Sequence, residues 1–334
     1  MGKSKKLAQL TNIRTLAIMM VVLGHSIILY SAEWDLYTTT VSAPFLNSLK
    51  KLLDIVQMPL FFSLSGYLFV FTHRKKHGIF RLLKSKALRL LVPYVGIGVG
   101  FLLPVRLAVG FPSYQNMGIG AFARNLLMAS DVGHLWFLPA LFVIFLLSEL
   151  LLCALERLPL IGKWADYLLC VTALGLYLEG YRIGFGYPPL LSAYKYLLWF
   201  ALGYLINIRQ TLLRGIYGFS VLKWSLLSLN VALLWFFFTG RAGSVLASLI
   251  ILALCIVNAY GAMPEKSCAL VENVDRNSFG IYLFHSPLIY ITFATIPDAH
   301  PAIVVFLNLV VFGGMAYGLT ALIRRTKLKI LIGE

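Results

Sequence analysis

Apolar runs of about 17 to 25 residues, separated by short polar loops, recur along the whole chain, and each is long enough to cross a bilayer as a helix. The pattern predicts about ten such helices, in or near residues 13–32, 53–72, 90–111, 134–155 and 164–181 in the first half. The second half supplies 190–207, 220–238, 243–261, 278–296 and 301–323. Between the third and fourth runs, GIGAFARNLLMAS is apolar enough for a re-entrant or interfacial helix of about ten residues, and too short to cross. No composition break sets off a soluble domain, and no internal repeat is visible. The expected fold is therefore one all-α integral membrane domain over residues 1–334, behind a disordered basic N-terminus of about ten residues.

Composition agrees: the 334 residues are 60% hydrophobic and only 13% charged, and mean hydropathy is +0.83. A soluble domain of this size needs no such core. A formal net charge of +16 would suggest nucleic acid in a soluble protein, but in a membrane protein the first question is which side holds the cations. With the N-terminus placed inside, all but seven of the 29 Lys and Arg fall on the cytoplasmic side. The seven are Lys50, Lys51, Arg106, Arg124, Arg182, Lys195 and Arg241. That bias puts both termini in the cytoplasm and makes the number of spans even. The bilayer is then the first partner, and nucleic acid is not expected. The first run is too long for a removed signal peptide and lacks a small-residue cleavage site. Cys153, Cys170, Cys255 and Cys268 form no CxxC, so neither a disulfide frame nor a metal site is expected.

Arg14 and His25 lie on the first run, inside IRTLAIMMVVLGHS, with ten uncharged residues between them. Eleven helical steps of roughly 100° return to within about 20° of the starting direction and rise roughly 16 Å. One helix face thus carries a guanidinium near one membrane surface and an imidazole near the middle. An ionisable group inside a span costs roughly 2.5–3.5 kcal/mol to insert, so it faces protein, water or ligand rather than lipid. His25 reads as a general base for a hydroxyl, a covalent acyl acceptor, or a structural hydrogen-bond partner between helices. Read alone, Arg14 is a snorkelling interface residue, and the face it shares with His25 makes it a site candidate.

Lys86 and Arg89, three apart at the entry to the third helix, share a face and can grip one polyanion together. With Arg14 they gather three cations at one mouth of the bundle, which suits a phosphate-bearing ligand entering from the cytoplasm. Helix two carries MPLFFSLSGYLF, where Ser63, Ser65 and Gly66 suit close helix packing. In GHLWFLPALF, His134 and Trp136 sit at the outer interface, as an aromatic belt or as contacts to a sugar or lipid headgroup. Glu149, deep in LLSELLL, should face the bundle, paired with a cation or held as a protonated structural carboxyl. His285 in SFGIYLFHSPLIY has the same ambiguity. Glu33 and Asp35, just beyond helix one, are solvated loop acids or partners for the imidazole or an acceptor hydroxyl.

The Arg-x10-His of helix one, MPLFFSLSGYLF, KALRLLVPY, HLWFLPALF and SFGIYLFHSPLI, in that order, resemble the membrane acyltransferase-3 family. Within it the chain looks most like the short, fucose 4-O-acetylase-like O-acetyltransferases of bacterial envelope polysaccharides. The resemblance covers essentially the whole chain. It implies a protein of the bacterial cytoplasmic membrane that moves an acyl group, usually acetyl from acetyl-CoA, to a hydroxyl of an envelope or exported glycan or glycolipid. Acetyl-CoA is then a donor substrate, with no bound cofactor. By the same resemblance His25 matches an essential histidine, Arg14 its paired arginine, and Arg89 the second arginine of an Arg-x-x-Arg motif. Lys86 departs at the first position, keeping the charge and losing the planar fork. The competing class is a polytopic transporter or exporter with Arg, His and Glu along its path, against which stand the missing repeat and the one-sided cations. A scaffold subunit of an envelope-assembly complex is a third reading.

Overall fold

The structure is a computed structural model that describes residues 2–34, 36–73, 78–183, 186–238 and 245–334. Its helices are α1 (Gly2–Ser26), α2 (Pro44–His73), α3 (Ile79–Ala108), α4 (Ile119–Met128), α5 (Phe137–Glu156) and α6 (Ala165–Ile183). They continue with α7 (Pro188–Ile208), α8 (Gln210–Gly218), α9 (Ser220–Phe238), α10 (Val245–Ala262), α11 (Ala269–Thr295) and α12 (Pro301–Arg324). No strand occurs among the described residues. Each of the ten apolar runs falls on a helix, and the interfacial segment forms α4.

Among the described residues, six stretches are long and apolar enough to cross a membrane: α2, α3, Gly133–Glu156, α7, α10 and α12. A seventh arises if α8 and Ser220–Phe236, bent by 99° at their junction, count as one span. The helices α1 and α11 fall outside that group although both are longer than 20 residues. Their polar content is the reason, since α1 opens on GKSKKLAQLTN and α11 carries Glu272, Asp275 and Arg276 in its first turns. These are the two helices that share the ionisable pairs described below.

Two expectations differ from the structure. The segment expected to be disordered is helical from Gly2, and by Gln9 it is tied down. The Gln9 amide donates to Tyr260 O at 2.6 Å, and Asn12 donates to Pro264 O and Lys266 O at 2.9 and 2.8 Å. These side chains satisfy the carbonyls that α10 and the following loop leave open. The second helix begins at Pro44, not near 53, so Lys50 and Lys51 lie on helix rather than loop. Lys50 is buried and pairs with Asp54 one turn on, which carries the polar first half of α2.

The tightest crossing joins α2 and α7. A Cβ added at Gly66 would lie 1.9 Å from Phe200 O, and one added at Gly203 would lie 1.8 Å from Ser63 O. Each glycine thus seats the other helix's backbone, the small-residue packing expected from SLSG in α2. Asn207 donates to Tyr67 O at 2.7 Å and closes the same seam. We predict that Gly66→Ala, which must push the helices apart, costs about 1–3 kcal/mol. Gly100→Ala, with open space around its Cβ, should be nearly neutral. Thermal unfolding in detergent compares the two, and equal midpoints would refute the backbone contact.

Candidate functional site

Three helices deliver three histidines to one place. His25 closes α1, His285 lies midway along α11, and His134 sits in the 3-10 turn Gly133–Trp136 that leads into α5. His25 Nδ1 is 2.8 Å from His285 Nε2. The ring centroids are 5.0 Å apart for that pair, 5.5 Å for His134 and His285, and 6.4 Å for His25 and His134.

The hydrogen bonds assign the tautomers of the neutral rings. His285 Nδ1 lies 2.9 Å from Ile281 O, an acceptor only, so Nδ1 carries the proton and Nε2 the lone pair. That lone pair accepts from His25 Nδ1–H, which leaves the lone pair of His25 on Nε2. His134 is set by the same logic, because its Nε2–H donates to Leu283 O at 3.1 Å while Tyr282 O–H donates back to His134 O. A backbone carbonyl thus fixes His285, and His285 fixes His25.

His25 and His134 line a cavity of about 300 Å³ together with Val21, Asp54, Gln57, Met58, Trp136, Lys195, Tyr196 and Tyr282. Asp54 and Lys195 are exposed, which marks its open side. Gln57 Nε2 donates to Asp54 Oδ1 at 2.7 Å, and Lys50 pairs with the other carboxylate oxygen. Trp136 and Tyr196 form an aromatic wall with ring centroids 5.4 Å apart. Such a wall beside a carboxylate, an amide and an ammonium group suits a polyhydroxylated ligand.

Arg106, fully buried, holds the turn that presents His134. Its Nη1 donates to Asp131 O at 2.7 Å and lies 3.2 Å from Asp131 Oδ1. The guanidinium carbon sits 4.1 Å from the centre of Phe111, 4.7 Å from Tyr114 and 5.3 Å from Tyr290. Three of the five residues entering the turn have positive φ: Ala129 (49°), Asp131 (51°) and Gly133 (54°). A Cβ at Gly133 would meet Arg106 Nη2 at 2.8 Å, so only glycine fits there. The left-handed residues are strained and are held by the guanidinium clamp.

The cations lie at the other end of the bundle. Arg14 is ion-paired through Nη1 with Asp275 of α11, at 3.0 Å from Oδ1 and 3.2 Å from Oδ2. Thr11 Oγ1 donates to the same carboxylate at 3.1 Å. Lys86 is half-buried, its ammonium 3.9 Å from the centre of the Phe145 ring. Arg89 is exposed, and the closing turn Lys327–Ile332 packs beside it, with Leu331 against Gly96.

The structure therefore brings His25, His134 and Trp136 to one cavity, with His285 buried behind His25, and keeps Arg14, Lys86 and Arg89 apart from it. Glu149 is buried and paired with His73 at 2.8 Å, not with a Lys or Arg. Glu33 is exposed, 3.7 Å from Lys51, and does not orient the imidazole, since His285 has that place. Asp35 lies outside the described residues. Sequence reasoning passed over Asp275, Arg106, Asp54, Gln57 and Tyr196. Asp54 and Gln57 carried a legible signal, a Lys-x3-Asp-x2-Gln spacing along one helix face.

Arg106→Lys keeps the charge and loses the fork, and should cost about 1.5–3 kcal/mol of stability as the buried bonds to Asp131 are lost. A thermal midpoint equal to the parent's would show that the fork does not hold the turn.

Compared with known families, residues 7–325 match a family model described as an acyltransferase domain and designated acyltransferase-3. No curated protein and no solved structure matches the chain.

Proposed function

Because the chain belongs to the acyltransferase-3 family, a family of membrane acyltransferases, we propose that it transfers acetyl from acetyl-CoA to a hydroxyl of an envelope or exported glycan. The observation that carries the mechanism is the His25–His285 hydrogen bond beside the cavity, which leaves a basic nitrogen, Nε2, on His25. Ten crossings, both termini in the cytoplasm and residence in a bacterial cytoplasmic membrane complete the reading. The charge bias and the alternation of the ten helices support it. In this frame the cavity faces outward and the cations face the cytoplasm.

The nucleotide and phosphates of acetyl-CoA bind at Lys86 and Arg89, and the pantetheine arm reaches inward toward His25, about 16 Å above Arg14 along α1. The acceptor enters from the outer side against Trp136 and Tyr196. His25 Nε2 takes the hydroxyl proton as the oxygen attacks the thioester carbonyl, the C–S bond breaks, and CoA leaves as the thiolate. The proton on His25 then passes to the thiolate, so that alcohol and acetyl-CoA become acetyl ester and CoA. During attack the charge on His25 is shared through Nδ1–H with His285, a positioning residue that also keeps the reactive tautomer. Arg14, engaged by Asp275, aligns α1 at the donor end.

His25→Ala should lower acetyl transfer about 10²- to 10⁴-fold in a folded, membrane-inserted protein. The assay follows labelled acetyl into an envelope glycan fraction together with CoA thiol release, and unchanged rates would remove the role. His285→Ala should lower kcat while leaving the KM for acetyl-CoA near its parent value. Arg89→Ala should raise that KM roughly tenfold, the loss of a charge-assisted contact to phosphate. An unchanged KM would move the donor site elsewhere.

A further inference from the structure

At the end of the bundle away from the cavity, α2 finishes on His73 against α5. Glu149, Cys153 and Glu156 lie on one face of α5, at spacings of four and three residues. Glu149 and Cys153 gather beside Nδ1 of the His73 ring, and Glu156 meets its Nε2. His73 Nδ1 is 2.8 Å from Glu149 Oε2, and Cys153 Sγ is 3.6 Å from Glu149 Oε1. One donor atom each from His73, Glu149 and Cys153 falls within a 4.8 Å span. The His73 and Glu149 side chains are 6% and 8% exposed. Neither takes part in the chemistry assigned to the cavity.

We propose that His73, Glu149 and Cys153 bind one divalent transition-metal ion of the zinc class, with Glu156 orienting the imidazole. The donor set argues for it: a thiolate and an imidazole beside a carboxylate favour zinc-like ions over magnesium or calcium, which prefer oxygen ligands. The outer contact argues for it independently. His73 Nε2 lies 3.0 Å from Glu156 Oε1, so one ring nitrogen can face the metal while the other donates to a carboxylate. That carboxylate–histidine arrangement is how metal-bound imidazoles are held in register. Three protein ligands leave a fourth tetrahedral position for water. On binding, the Cys153 thiol proton and the His73 Nδ1 proton go to solvent and the metal takes their places, while Nε2–H stays on Glu156.

The site was hidden in the sequence because its ligands are not clustered, His73 and Glu149 being 76 residues apart. In the folded chain it clips the end of α2 to α5 one helical turn beyond Phe145, the ring that carries Lys86. It stands independently of the acyl-transfer reading, since its test needs neither donor nor acceptor.

The test uses the full chain without a polyhistidine tag, purified in detergent, stripped with chelator and titrated with Co(II) alone. The expected result is one equivalent bound, with near-ultraviolet sulfur-to-cobalt charge-transfer absorption. Cys153→Ser, nearly isosteric, should abolish that band. Glu156→Gln should weaken binding about 10- to 100-fold while the band persists at saturation. Size-exclusion profiles confirm that the variants are folded. No stoichiometric binding, or an affinity and spectrum unchanged by Cys153→Ser and Glu156→Gln, would overturn the site and leave a His73–carboxylate ion pair.

Discussion

The molecule turns on the parallel pairing of its first and eleventh helices, locked at two heights by polar contacts. Near one end Arg14 of α1 meets Asp275 of α11, and near the other His25 meets His285. The spacing is eleven residues on one helix and ten on the other, so the same register satisfies both rungs. His285 is fully buried and Asp275 largely so, which makes water a poor substitute partner at either rung. An unpaired guanidinium or carboxylate there costs several kcal/mol, so alternative registers are excluded by what they would leave unsatisfied. Direction comes with register: the His25 imidazole sits where α11 puts that of His285, and the Arg14–Asp275 pair lies roughly 16 Å away along the same two helices.

Around that pair the other elements act as supports. The glycine-seated crossing of α2 and α7 brings Asp54, Gln57 and Tyr196 to the cavity wall, and the Arg106 clamp sets His134 on its rim. Polar groups do most of this positioning, because in a membrane hydrophobic burial does not distinguish one helix neighbour from another. Side-chain-to-carbonyl bonds such as Asn207 to Tyr67 and His134 to Leu283 do distinguish them.

Much of this was legible beforehand. Run lengths placed most helix boundaries to within a few residues, the polar first turns of α1, α2, α3 and α11 being missed by nine to eleven residues, and the interfacial α4 was visible in GIGAFARNLLMAS. Arg14 and His25 were legible as one face because 3.6-residue periodicity is a local property. His134 and His285 could be singled out one at a time as costly groups in apolar runs. Their meeting with His25 could not be read, because nothing local records which helix packs against which. Arg106 was missed for another reason: counted among the few outer-side charges, it looked solvated, whereas three aromatic rings and a loop carbonyl enclose it. Asp275 was missed because a charged first turn looks like an ordinary cytoplasmic entry.

The parallel pairing of α1 with α11 also sets a clock. His25 and His285 are 260 residues apart in the chain. At synthesis rates of roughly 5–20 residues per second, about 15–50 seconds pass between the emergence of one imidazole and the other. For that interval the guanidinium and imidazole of the first helix lack these partners, while the intervening helices are still being made. The tautomer that His285 imposes on His25 is therefore among the last features of the nascent protein to form, and an interrupted chain lacks the partner that sets it.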